Sequence, residues 1–157
     1  MHRPGKPLYY LATMIPVDQE DLCRIEKHQQ ERSGWGFETI EVGKSVLDST
    51  RSCDQAGTFL LDSVTALLAN AMFDANGSAD PEAPEKIAGD LTALVEKIEN
   101  IVLVSDDIYS DACVYDTLTE SYRKGLALID RTLAGLCDMV LEISGGNTIT
   151  HKPKNHV

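Results

Sequence analysis

Short apolar runs alternate with longer amphipathic stretches along this chain. Residues 8–13, LYYLAT, are apolar and aromatic up to a closing threonine, the composition of a buried strand. Asp18 then offers an N-cap to DQEDLCRIEKHQQER, where Leu22 and Ile25 stand three apart among charges. That stretch predicts an exposed helix ending near Ser33-Gly34. FETIEV at 37–42 alternates like a strand, and a short helix is expected around 44–51. GTFLLD (57–62) reads as a second buried strand with an acid at its tip, followed by the apolar helix SVTALLANAMFD (63–74). The clearest loop is ANGSADPEAP (75–84), rich in Gly, Pro and small residues. PEKIAGDLTALVEKIEN (84–100) is an amphipathic helix with Pro84 at its start, and IVLVSD (101–106) is a third buried strand ending in acid. A long helix runs from about 116 to 137, and MVLEIS (139–144) is a last strand closed by Gly145-Gly146. Residues 1–7 and 151–157 read as the frayed polar ends of one domain.

This alternation is the signature of an α/β domain with a mainly parallel sheet flanked by helices. Ligands of such sheets sit beyond the carboxyl ends of the strands. Thr13, Asp62, Asp106 and Asp107 all fall at such ends. An acid there serves equally well as the N-cap of the next helix, so each position taken alone divides evenly between the two roles.

Charge narrows the partners. The 157 residues carry a formal charge of −11, with 43% apolar and 25% charged residues, an ordinary globular mix with an acidic balance. Nucleic acid and anionic membrane both require a basic surface, so neither is expected as a partner. No apolar run approaches the roughly 20 residues of a membrane span, and MHRPGKP lacks the apolar stretch of a signal peptide. Cys23, Cys53, Cys113 and Cys137 are scattered with no CxxC pair, which reads as reduced thiols of a cytoplasmic protein. A small anionic ligand would need a local cationic pocket, and Arg24, Lys27 and Arg32 form one of the few such clusters.

Within RIEKHQQER (24–32), Arg24, His28 and Arg32 lie four apart, so a helix stacks them on one face. Spacing alone favours a solvated face interleaved with Glu20, Glu26 and Glu31. The flanking segments change that balance. YYLATM (9–14), RIEKHQQER, GFETIE (36–41), LLDSVTALLAN (60–70), IVLVSDD (101–107) and YRKGLALIDRTLAGLCDMVLEISG (122–145) follow one another in order. In that order and spacing the chain resembles, from residue 8 to about 150, the adenosylcobinamide kinase / adenosylcobinamide-phosphate guanylyltransferase family of cobalamin biosynthesis.

The resemblance implies an α/β fold of the P-loop-NTPase, RecA-like type. It implies transfer of GMP from GTP onto adenosylcobinamide phosphate through a guanylylated histidine, after phosphorylation of adenosylcobinamide. The histidine of the family's RIxxH helix matches His28. Nucleotide contacts carry over to Ala12, Thr13 and Met14, then to Gln29, Gln30, Glu31 and Arg32, and to Glu41 and Asp62. Arg24 and Arg32, one turn either side of His28, would offset charge on phosphoryl oxygens. Asp62 suits Mg²⁺, as a strand-end carboxylate near phosphates. GTP or ATP with Mg²⁺ and a corrinoid are thus the implied ligands, and a homo-oligomer is the implied assembly.

Four departures temper the activity expected. The family opens on a strand and a phosphate loop of the type GGxxSGKS, whereas only MHRPGKP precedes Leu8. Gly5-Lys6 has the look of a loop fragment, but Pro7 takes the place of the Ser or Thr that would hold magnesium and donates no N–H. A first strand–loop–helix unit is therefore missing from this stretch, and its neighbours must pair directly, recruit another chain or leave open edges. Asp106-Asp107 stands for an Asn-Glu pair, Ala127 for a Gly and Asp130 for an Asn. The expectation is weakened kinase capacity and weak GTP affinity. The alternative is a catalytically degenerate nucleotide- or corrinoid-binding or assembly protein of the same fold.

Overall fold

The computed structural model describes residues 4–42, 45–73 and 78–153. In chain order its elements are β1 (Leu8–Ala12), α1 (Gln19–Glu31), β2 (Phe37–Glu41), α2 (Val46–Ser49), β3 (Thr58–Asp62), α3 (Val64–Met72), α4 (Ala83–Lys97), β4 (Asn100–Val104), α5 (Thr117–Leu136), β5 (Val140–Ser144) and β6 (Asn147–Lys152). The first four strands form one parallel sheet in the order β2-β1-β3-β4. Register is continuous, with Tyr10 beside Thr39 and Leu60, and Leu60 beside Val102.

The pleat sorts the side chains. Tyr9, Leu11, Phe59 and Leu61, with Ile40, Ile101 and Leu103 beside them, point to one face and join the core with α2, α3, α4 and α5. The α4 and α5 helices approach closely at Gly125, where an added Cβ would lie 2.7 Å from Pro84 Cγ and 3.5 Å from Leu68 Cδ2. The opposite face carries Tyr10, Ala12, Leu60 and Asp62, and α1 faces it across a cleft. No residue of α1 is buried, in keeping with its polar sequence. Asp18 caps this helix by accepting from the Asp21 N–H at 2.9 Å.

Two readings of the sequence need correction, those of IVLVSD and of residues 151–157. IVLVSD was expected as a buried strand, but β4 is an edge strand whose Val102 is 40% exposed. MVLEIS forms β5 as expected but does not join the sheet; it pairs antiparallel with β6. Gly145 and Gly146 both have positive φ, +56° and +79°, the requirement of a two-residue hairpin turn. The expected fraying of 151–157 is wrong for its first two residues. His151 pairs across the hairpin with Glu142 at 2.7 Å, and Lys152 Nζ donates to the Ala134 and Gly135 carbonyls at the end of α5. Lys44 of the short helix, Asp74 of the apolar helix and 75–77 of the loop lie outside the described residues.

Replacing Gly125 with Ala tests the close approach of α4 and α5. Overpacking of this kind costs about 1–3 kcal/mol. Urea unfolding of Gly125→Ala should show a lower midpoint with an unchanged slope.

Candidate active site

A cleft of about 290 Å³ opens at the carboxyl ends of β1 and β3, between the sheet face free of core helices and α1. The sheet supplies Tyr10, Ala12, Glu41 and Asp62 to it, and the chain after β1 adds Met14. Arg24, Ile25 and His28 enter from α1 and Arg32 from its C-cap, one helical face as the spacing required. Ser63, Thr65, Asp106 and Tyr122 close the remaining side.

The two arginines are held differently. Arg24 donates to Glu20 at 3.3 Å and lies 4.0 Å from Asp21, both one turn back on α1. The guanidinium of Arg32 lies 3.6 Å from the centre of the Tyr10 ring and donates to Thr39 Oγ1 at 3.3 Å. Between them, His28 Nδ1 is 3.7 Å from Glu31 Oε2, an ion-pair approach longer than a hydrogen bond. Glu31 thus lies beside the Nδ1 edge of the histidine ring. The Tyr10 hydroxyl donates to Asp62 Oδ2 at 2.6 Å. Burial, then the bond to the Asp62 carboxylate, drives the phenol above its ordinary pKa.

Thr13 occupies a different place from the one expected. Its side chain is fully buried and not on the cleft wall. Its hydroxyl donates to the Ser63 carbonyl at 2.7 Å and accepts from the Ser63 N–H at 2.6 Å, while Asn70 donates to its carbonyl. Thr13 therefore ties β1 to β3 behind the site. Gln29 and Gln30 also miss the cleft and line a separate shallow depression with Glu26 and Ser33. Gly5-Lys6 lies before β1, at the opposite end of the strands, with Lys6 in an ion pair with Asp54 at 3.2 Å. The cleft residues that the sequence reading missed are Tyr10, Ile25, Ser63, Thr65, Ala66 and Tyr122. Tyr10 was legible in principle, since period-two alternation puts it with Ala12 on the face opposite Leu11.

The segment 105–116 borders the cleft without regular secondary structure. Asp106 N–H donates to Thr65 Oγ1 at 2.9 Å. Ser105 and Tyr109 hydroxyls both donate to Asp130 Oδ2 at 3.0 Å. Arg123, only 7% exposed, donates to the Ile108 carbonyl at 2.8 Å and to Asp111 at 2.6 Å. Two α5 residues seven apart thus pin the segment down. Burial raises the Asp130 carboxyl above its usual 3.8, against the two hydroxyl bonds, and the nearby Asp107 and Asp106 add to the rise. Tyr109 is pushed up to about 12 by burial and by Asp130.

The mainly parallel sheet expected from the alternation of strands and helices is present, and Arg24, His28 and Arg32 lie at its carboxyl end. The family model for cobinamide kinase / cobinamide phosphate guanyltransferase matches residues 1–150. The chain belongs to this family. Membership places it in cobalamin biosynthesis. No curated protein matches the chain closely. Among the described residues no helix is long and apolar enough to cross a membrane, and the four cysteines are free thiols.

The family's nucleotide substrates bring Mg²⁺ into question, and the cleft offers hard oxygen donors for it. Asp62 keeps Oδ1 free of the Tyr10 bond, and Asp106 stands on the same wall. No group of three or more His, Cys, Asp or Glu side chains able to hold a metal occurs among the described residues. Mg²⁺ takes one or two carboxylates and completes its shell with phosphates and water, so Asp62 and Asp106 are the residues that would hold it.

Asp130 yields a pH prediction. A carboxyl whose folded pKa is raised contributes stability that is present below its unfolded value and is lost as pH rises through the folded value. Asp130→Asn keeps an acceptor for Ser105 and Tyr109 and removes the charge. It should melt higher than the parent at about pH 7, with the difference shrinking towards about pH 4. Thermal melts across that range check this; a lower melting point for Asp130→Asn at neutral pH would overturn it.

Proposed function

We propose that this chain transfers GMP from GTP to adenosylcobinamide phosphate through His28. The observation that carries this reading is the stack of Arg24, His28 and Arg32 facing Asp62 across one cleft. His28 Nε2 attacks the α-phosphorus, a P–N bond forms and pyrophosphate departs, the ring proton passing to solvent. The corrinoid phosphate oxygen then attacks the same phosphorus and restores the free imidazole. Arg32 and Arg24 offset charge on the phosphoryl oxygens, and Glu31 orients the ring by approaching Nδ1. Mg²⁺ held by Asp62 and Asp106 would neutralise phosphate charge when bound.

Phosphorylation is not assigned to these residues, because Gly5-Lys6 lies at the wrong end of the sheet and Lys6 is paired. The second reading, a corrinoid- or nucleotide-binding protein without chemistry, is favoured by the acids around the cations, Glu20, Asp21, Glu31 and Glu41. One experiment separates the two. Incubation with labelled GTP and Mg²⁺ should leave an acid-labile, base-stable phosphoramidate on the protein, and His28→Ala should carry none. Label that persists in His28→Ala points to another acceptor; no label on the parent favours binding alone.

The reading includes a cytoplasmic homo-oligomer. Leu141, Ile143 and Ile149 on the hairpin, and Val102 and Val104 on the edge strand, expose apolar surface that a second copy would cover. Sedimentation at micromolar concentration should give a mass above that of one chain; a pure monomer would count against it.

A further inference from the structure

Tyr10 sits where the two halves of the cleft meet. Its ring is 8% exposed and set edge-on against Phe37, with centroids 5.9 Å apart at 76°. The face of the ring carries Arg32, and the hydroxyl holds Asp62. One phenol therefore touches the cation from α1 and the carboxylate from β3. Among the described residues no carboxylate lies within ion-pair distance of Arg32, whereas Arg24 has two. One edge N–H of Arg32 goes to the Thr39 hydroxyl at 3.3 Å; stacking leaves the other edge N–H groups open to an anion, and the positive charge stays unspent.

We propose that Tyr10 is the positioning residue of this cleft, fixing Arg32 and Asp62 so that a polyphosphate meets an ordered cation. The inference rests on the nucleotide reading above and extends it to a residue that is not among the carried-over nucleotide contacts. A long side chain already held in place loses little further freedom when it takes an anion. The T-shaped contact with Phe37 keeps the ring from turning, so the orientation belongs to the fold and not to the ligand. Tyr10 touches no reacting atom; it acts through its two neighbours.

The test uses inorganic tripolyphosphate as the probe, titrated by calorimetry at low ionic strength. Arg32→Ala and Tyr10→Leu should each weaken binding about tenfold. Tyr10→Phe, which keeps the ring but loses the Asp62 bond, should fall between Tyr10→Leu and the parent. The double variant Tyr10→Leu/Arg32→Ala should bind about as poorly as the weaker single variant, because both changes remove one interaction. Single losses that multiply in the double variant overturn the proposal, as does parent-like binding by Tyr10→Leu or no binding by the parent. Should Tyr10→Leu fail to fold, ¹⁵N relaxation at the Nε of Arg32 and Arg24 in the parent decides. Arg32 should be the more ordered of the two, and equal mobility overturns the proposal. Tripolyphosphate binding that depends on Tyr10, with no GMP label on His28, would sink the transfer reading and leave this one standing.

Discussion

The hydroxyl of Thr13 adds two hydrogen bonds to the backbone bond, Thr13 N–H to the Asp62 carbonyl at 3.2 Å, that joins the ends of β1 and β3. It accepts the Ser63 N–H and donates to the Ser63 carbonyl in a fully buried setting, and Asn70 takes up the Thr13 carbonyl. Intramolecular hydrogen bonds are worth about 0.5–1.5 kcal/mol each net, and leaving buried partners unmet costs more. Position matters more here than energy. The knot fixes where the chain leaves β1, and so where α1 begins its path over the sheet. Ala12 and Asp62, adjacent in register, are thereby held at one level beneath the helix. Loosen that point and the His28 face no longer has a fixed wall opposite it.

The second constraint is division of labour between the faces of one sheet. Tyr9, Leu11, Phe59 and Leu61 bury the apolar surface with four helices on one side. The other side is thereby free to carry Tyr10 and Asp62 at the price of covering little apolar area with α1. An acidic chain can hold a cationic site there only if its own carboxylates do not neutralise it. Arg24 is partly quenched by Glu20 and Asp21, while Arg32 is spared because an aromatic ring, not an acid, supports it. A ring holds a guanidinium by its quadrupole and leaves the net charge intact.

The sequence made the strands, the capped polar helix and the Arg-His-Arg face legible because each is a local pattern of period two or 3.6. It was silent where the answer depends on what lies opposite. Nothing in LYYLAT says that Thr13 turns inward to Ser63. Gln29 and Gln30 were carried as part of a contiguous block, but successive helical residues turn by about 100°, so neighbours of His28 cannot share its face. They lie against a different depression. Arg24 and Arg32, four residues off, do share it. The hairpin partner β6 was missed because its polar residues resembled a free tail. The two glycines before it were the available signal, since a two-residue turn with positive φ at both positions returns the chain on itself.

The segment 105–116 shows how a wall of the cleft is kept without strand or helix. A buried arginine is costly unless its N–H groups are met, and Arg123 meets them on the segment itself, at the Ile108 carbonyl and at Asp111, as well as on Glu120. Tyr115 covers the same guanidinium and donates to Asp111. Two turns along α5, Asp130 gathers Ser105 and Tyr109. The segment is thus the set of partners that α5 needs for its own buried charges. Its order follows from the cost of leaving those charges unpaired, and Asp106 is carried to the cleft as a consequence. A carboxylate at 130, where the family pattern has an amide, sharpens this: two hydroxyl donors must stay in place to support a charge beside Asp106 and Asp107. The wall near Asp106 is therefore coupled to the protonation of a residue that does not itself touch the cleft.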